Sequence, residues 1–304
     1  MAFLVATESW CRRMVLAASR RLLVRALVIA TAVLAVSCGN GVESGPVVAV
    51  GAGDSAESNL LAQIYSGALA RAGARTSVVS GLGGRADRLT ALDANRVQLF
   101  GEHTGALLAE LDSSSDARTP GEVNQALNRA LPAGTVVADA ADGTDMRPRV
   151  LTTAAVGVHS VAELAAHCDG RAIGVAPVPG LLELPAELLR IPGCAAPVPL
   201  PDPAALRKAL LDGSIQVGLL SGPPIDPADT DGLVVLADAD YAVRAENVIP
   251  LFRKGLLDDR RVKKLNYVAG ELNTGDLSAM VRRMRDERAQ PADLARDWLD
   301  QHGL

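Results

Sequence analysis

Val47-Val48-Ala49-Val50, then Leu60-Leu61 with Ile64, Ala68 and Leu69, then Thr76-Ser77-Val78-Val79 follow one another between positions 47 and 79. The first is a continuous β-branched and small apolar run closed by Gly51 and Gly53, the pattern of a strand covered on both faces. The second repeats its apolar residues every three or four positions, so it predicts a helix with one buried stripe. Asp54 with Glu57 three residues later predicts where that helix starts. The third run is a strand again. Strand, helix and strand in such short order form the unit of a parallel sheet, which places the chain in the α/β class.

The alternation continues outward. Gly81-Leu82-Gly83-Gly84 is a turn, residues 86–95 a helix and residues 97–100 a strand. Thr119-Pro120-Gly121-Glu122 is a capping box with proline at the first helical position, and Ser160-Val161-Ala162-Glu163 is a second. Between them, residues 150–158 read as an apolar strand. The proline-rich stretch 174–203 predicts loops around one short helix at 181–189. A helix at 203–212, a strand at 215–220 and a Pro/Asp loop at 221–231 follow. Helices at 258–269, 276–288 and 291–302 close the chain, which contains no internal repeat.

Composition narrows the function classes. The 304 residues are 49% hydrophobic and 21% charged, enough for two domains, and aromatics are only 3%. The formal net charge is -5. The first 37 residues hold five arginines and a single acid, so the rest is more acidic still and carries no basic stripe; nucleic-acid binding is disfavoured. Arg20, Arg21 and Arg25 precede the apolar run 26–36, which is too short to span a bilayer comfortably. That run ends in Leu34-Ala35-Val36-Ser37-Cys38, followed by Gly39-Asn40-Gly41. Small residues before a cysteine and a flexible stretch after it resemble a bacterial lipobox. The resemblance implies a signal peptide at 1–37, diacylglycerol on Cys38, and a tether at 38–45 holding the mature chain on the outer face of a membrane. Met14 offers a second start.

Cys11 lies in the leader. Cys168 and Cys194 belong to an exported chain, where a disulfide closing a 26-residue loop would add roughly 3.5 kcal/mol; two buried thiols are the alternative. His167 adjoins Cys168, but no second ligand pair has zinc-like spacing, and no cofactor is expected. Gly53-Asp54-Ser55 resembles the nucleophile block of GDS-type esterases. Leu299 stands where their late histidine, here His302, requires an aspartate, so a helix start explains the segment better. Gly81, Gly83 and Ala86 loosely match a dinucleotide fingerprint, and turn glycines account for them. The expectation is a binding protein and not an enzyme.

One resemblance runs the length of the chain after the tether. Leu61-Ala62-Gln63-Ile64-Tyr65, Leu82-Gly83-Gly84 and Gln98-Leu99-Phe100-Gly101-Glu102-His103-Thr104-Gly105 resemble successive segments of the substrate-binding proteins of quaternary-amine ABC importers, the glycine betaine/carnitine/choline family. Glu246-Asn247-Val248-Ile249-Pro250-Leu251-Phe252-Arg253-Lys254 is similar to that family's return strand, and residues 290–304 to its last helix. The resemblance implies a two-lobed periplasmic-binding-protein fold (type II), with a ligand cleft between lobes joined by two crossover strands. Lobe one would comprise 46–150 and the return 244–304, and lobe two 151–243. The implied partners are a small-molecule solute and an ABC permease, with the protein itself a monomer.

The family grips trimethylammonium groups in a cage of tyrosines. The matching cage positions here are His103, Ala154, Ser221 and Glu246. The ligand glutamine of the first helix is Ser58, and the threonine after the motif glycine is Ala106. With Asn247, these residues form the expected ligand set, which suits a polar, hydrogen-bonding, osmolyte-like solute better than a betaine.

Overall fold

The computed structural model describes residues 46–304. The leader, Cys38 and the tether to position 45 lie outside the described residues.

The opening run forms β1 (Val48–Gly51), followed by α1 (Ala56–Arg71) and β2 (Thr76–Val79), which pairs in parallel with β1. Helix α1 starts one residue later than Asp54 implied, because Ser55 is the cap: its side chain accepts the Ser58 N–H at 3.1 Å. After α2 (Arg85–Asp93), β3 (Leu99–His103) lies parallel to β1 on its other side and leads directly into α3 (Thr104–Leu111). The Thr119–Glu122 box caps α4 (Pro120–Ala130) as expected, and β4 (Thr135–Val137) completes the outgoing half.

The chain then builds a second sheet. Its strands are β5 (Arg149–Thr152), β6 (Ile173–Ala176), β7 (Val198–Pro199), β8 (Val217–Leu220) and β9 (Val234–Val235), with α5 (Val161–Ala166) and α6 (Pro203–Leu211) between them. It returns as β10 (Val248–Arg253), antiparallel to β3 and β4 in the first sheet. α7 (Asp259–Glu271), α8 (Thr274–Asp286) and α9 (Pro291–Gln301) follow, all three packing against α1. The strand orders are β2-β1-β3-β10-β4 and β7-β6-β8-β5-β9. Each is a parallel sheet carrying one antiparallel strand that has crossed from the other lobe. This is the two-lobed architecture expected, and one apolar cluster runs through both lobes from Leu60 and Leu99 to Leu206 and Leu220.

The crossovers hold each other. Arg147 on the outgoing segment reaches the Asp238 carboxylate on the returning one at 3.0 Å and lies over the Tyr241 ring at 4.5 Å. Met146 N–H donates to the Glu246 carbonyl at 2.8 Å.

Two local expectations fail. The strand expected over 150–158 ends at Thr152, where a short turn begins that closes on Gly157 at φ +71°. The helix expected over 181–189 is an extended strap followed by a single turn, because Gly180 (φ +90°) and Pro185 bracket it and its backbone is held by the other lobe. Cys168 and Cys194 form a disulfide across a separation of 26 residues, joining the end of α5 to the loop before β7.

Candidate ligand-binding cleft

β1 and β3 end at one edge of the first sheet, where β10 begins. The crevice outside the carboxyl ends of parallel strands is where such folds place their sites. Three helix starts and one crossover meet there, and they bring a set of buried charges together.

Glu57, in the first turn of α1, is fully buried. It turns inward: Oε1 lies 2.7 Å from His103 Nε2, and Oε2 accepts the Leu182 N–H at 2.7 Å. Its own N–H donates to the Gly180 carbonyl at 2.8 Å. Both of those backbone partners belong to lobe two, so one residue spans the cleft.

Glu102 is fully buried beside Arg88 and Arg85, with the Arg85 guanidinium at 3.1 Å. Burial alone would raise its carboxyl, but the two guanidinium groups outweigh that and hold it below its usual range. His103 is buried too, and desolvation would lower its imidazole. The carboxylates of Glu57, Glu246 and Glu102 reverse this and raise it above its ordinary value.

Glu246 closes the group from the crossover side. Oε2 accepts the Ala106 N–H at 3.0 Å, at the start of α3, while Oε1 is buried without a partner. Gly105 permits this approach, since a Cβ there would stand 2.4 Å from that oxygen. Burial pushes the Glu246 carboxyl up to about 7 in spite of His103 and the Ala106 N–H. Asn247 N–H donates to Thr104 Oγ1 at 3.0 Å, and its side-chain amide donates to the Thr144 carbonyl, leaving Oδ1 buried and unpartnered.

Of the expected set, the structure therefore gathers His103, Ala106, Glu246 and Asn247 on the lobe-one wall. Ser58 lies beneath them, its hydroxyl accepting the Gly53 N–H at 2.8 Å and shaping the turn after β1. Ser221 follows β8 in lobe two and accepts the Val178 N–H at 2.8 Å, anchoring the strap. Ala154 stands apart, exposed on the turn after β5. Glu57, Glu102, Arg85 and Arg88 were missed, because pairing partners so far apart in sequence leave no local spacing. Ser55 is a helix cap, and His302 Nδ1–H donates to the Trp298 carbonyl at 2.8 Å, one helix turn back on α9. Gly81 and Gly83 are turn glycines at φ +74° and +77°.

The strap Gly180–Leu184 lies over this wall with Leu181 and Leu182 buried, and Arg85 donates to the Glu183 carbonyl at 3.0 Å. Two spaces remain. One of about 420 Å³ lies between lobes, with Ser55, Gly83 and Arg88 facing Leu182 and Ala186. The other, of about 390 Å³, opens at the crossovers and is lined by Asp145, Arg147, Tyr241, Glu246 and Asn247.

Solved structures share this two-lobed fold. A glycine betaine/carnitine/choline ABC transporter protein superposes with TM-score 0.65 at 14% identity, over 84% of this chain and 98% of its own. Apo YehZ from Escherichia coli gives 0.61 at 16%, over 85% and 99%. The glycine/betaine/L-proline-binding protein ProX from Borrelia burgdorferi gives 0.54 at 13%, over 84% and 93%. No curated protein matches the chain in sequence. The model of the substrate binding domain of ABC-type glycine betaine transport systems matches residues 46–301. The chain belongs to that family of substrate-binding proteins, which serve ABC transporters as binders of solute and not as enzymes.

Proposed function

We propose that the protein is held by acyl chains on Cys38 at the extracytoplasmic face of the cell membrane, as a monomer, and delivers a small polar solute to an ABC permease. The ligand set proposed is Ser58, His103, Ala106, Ala154, Ser221, Glu246 and Asn247. One observation carries the polar reading: Asn247 Oδ1, an acceptor at every pH, and Glu246 Oε1, an acceptor when the carboxyl is ionised, are buried without partners on the wall where the family resemblance sets its cage. An unpaired buried acceptor costs about 1–3 kcal/mol, which a solute bearing N–H or O–H groups relieves. A quaternary ammonium has neither.

A thermal-shift screen over amines, amino acids, polyols and sugars tests this, since a ligand stabilises by RT ln(1 + [L]/Kd). An upward shift with a donor-bearing solute is expected; a shift with quaternary ammonium solutes alone defeats the reading. Anchoring is tested separately: Cys38→Ala should move the protein from the detergent phase to the aqueous phase.

A second reading is supported by the strap. Gly180, Leu182 and Glu183 already bond the lobe-one wall, and Leu181 and Leu182 fill part of the cleft. In this reading the fold no longer carries solute and serves as an envelope sensor or partner. Total silence in the solute screen, with the lobes still closed in solution, would favour it.

A further inference from the structure

At the pole of lobe one opposite the cleft, a groove of about 540 Å³ runs between the end of α1 and the outer face of α7. Arg260, Lys263, Lys264 and Tyr267 line it at the i, i+3, i+4 and i+7 positions of one helix face. The opposite stripe of α7, Leu265, Val268 and Ala269, is buried in the core. Tyr267 is the most exposed aromatic side chain among the described residues, at 62%. Arg71, on the α1 side, is already paired with Asp300, and the adjacent Arg261 with Asp258. Arg260, Lys263 and Lys264 form no ion pair among the described residues, and Asp259 is the one acid lining the groove. An otherwise acidic protein thus presents uncompensated cations around an exposed tyrosine.

The entry of the chain lies beside this groove. Val48 N–H donates to the Arg75 carbonyl at 2.8 Å, and Arg261 donates to the Gly73 carbonyl at 3.1 Å. The turn after α1 therefore joins the first described strand to α7. Position 46 is eight residues beyond Cys38, which limits the separation to less than about 30 Å even when fully extended. Strand direction puts His103, Glu57 and Glu246 at the other end of the same sheet, so occupation of the groove leaves the cleft free.

We propose that this face of α7 docks on the anionic headgroups of the membrane that holds the chain. Three cations close to an anionic leaflet raise surface affinity on the order of a hundredfold, and tyrosine suits the headgroup level. The geometry rests on the proposed anchor at Cys38.

The chain has four lysines, Lys208, Lys254, Lys263 and Lys264, so acetylation by a water-soluble ester reads the groove against an internal control. Lys208, on lobe two, is 81% exposed. The full chain is reconstituted in vesicles of phosphatidylcholine, with or without phosphatidylglycerol, and each lysine is followed by mass spectrometry. Lys263 and Lys264 should be acetylated several-fold more slowly in the anionic vesicles, with Lys208 unchanged. Roughly 0.5 M salt, which shortens the Debye length to a few ångströms, should abolish the protection. Arg260→Glu combined with Lys263→Glu should restore Lys264 reactivity. Equal rates in both lipids would overturn the proposal. So would protection seen only in native membranes containing the permease, which would make the partner a protein. If the anchor fails, the chain will not float with neutral vesicles. The same footprint with anionic vesicles added in excess at low salt then decides the groove alone: protection supports it, and no protection overturns it.

Discussion

Burial shifts the charge state of Glu246 and neighbouring carboxylates shift that of His103, and pH exposes both. Glu246 is raised in the fold to about 7 by burial, so its protonated form is the one the structure favours. Its contribution is present below the unfolded value near 4.5 and is lost as pH climbs through about 7. Glu246→Gln keeps an acceptor for the Ala106 N–H and removes the buried charge. The variant should match the parent near pH 5 and exceed it at pH 8 by roughly 3 kcal/mol, at 1.4 kcal/mol per pKa unit. Denaturant midpoints against pH read this; parallel curves for the two proteins would refute it. His103 is raised as well, so its pairing with Glu57 is complete below the ordinary imidazole value of 6.5 and fades above it. Glu57→Ala should cost about 3–5 kcal/mol, since it strands His103 and frees the Leu182 N–H. Glu57→Gln should cost less, and most of that at acid pH. A loss that grows with rising pH would contradict the pairing.

At the scale of elements, the strap depends on Gly180. Its φ of +90° suits glycine, and a Cβ would sit 3.0 Å from Val281 Cγ1 and 3.5 Å from Ala56 Cβ. Gly180→Ala should cost about 1–3 kcal/mol. It should also speed hydrogen exchange of the Leu182 amide more than that of amides in β6; unchanged exchange there would mean the strap is held elsewhere. The disulfide acts on the same lobe. Reduction, or Cys168→Ser with Cys194→Ser, should lower stability by roughly 3.5 kcal/mol for a loop of this length, measured by urea titration. These elements also show what the sequence could reveal. The Thr119–Glu122 box was legible because cap and N–H lie three residues apart and need no partner from elsewhere. Leu181, Leu184 and Leu188 have helical spacing, yet the segment is extended because its backbone bonds go to Glu57 and Arg85 in the other lobe. Likewise His103, Glu246 and Asn247 were found through resemblance to whole motifs. Glu57, Glu102, Arg85 and Arg88 became visible only once the sheet edge brought them together.

For the whole molecule, the placement of its few aromatic rings decides what the cleft can hold. Tyr65 and Phe252 are buried in the core, and Phe100 lies under the Arg88 guanidinium at 5.6 Å. Trp298 stacks with His302 on α9, and Tyr267 faces outward from α7. Among the described rings only Tyr241 shares a space with Glu246, and Arg147 already covers its ring at 4.5 Å. An aromatic face attracts a quaternary ammonium by about 0.5–2 kcal/mol, so a cleft without four such rings forfeits several kcal/mol relative to one that has them. Each 1.4 kcal/mol is about a tenfold loss in affinity. Glycine betaine also brings a carboxylate, which the ionised Glu246 repels above pH 7. Calorimetry should therefore find betaine binding no tighter than about millimolar, and weaker at pH 8 than at pH 6. Glu246→Gln should remove that pH dependence without creating tight binding, because it supplies no aromatic face. Micromolar betaine binding by the parent protein would sink the argument. Arg147 would then have to leave the Tyr241 ring on ligand entry, and Tyr241→Ala would abolish the affinity.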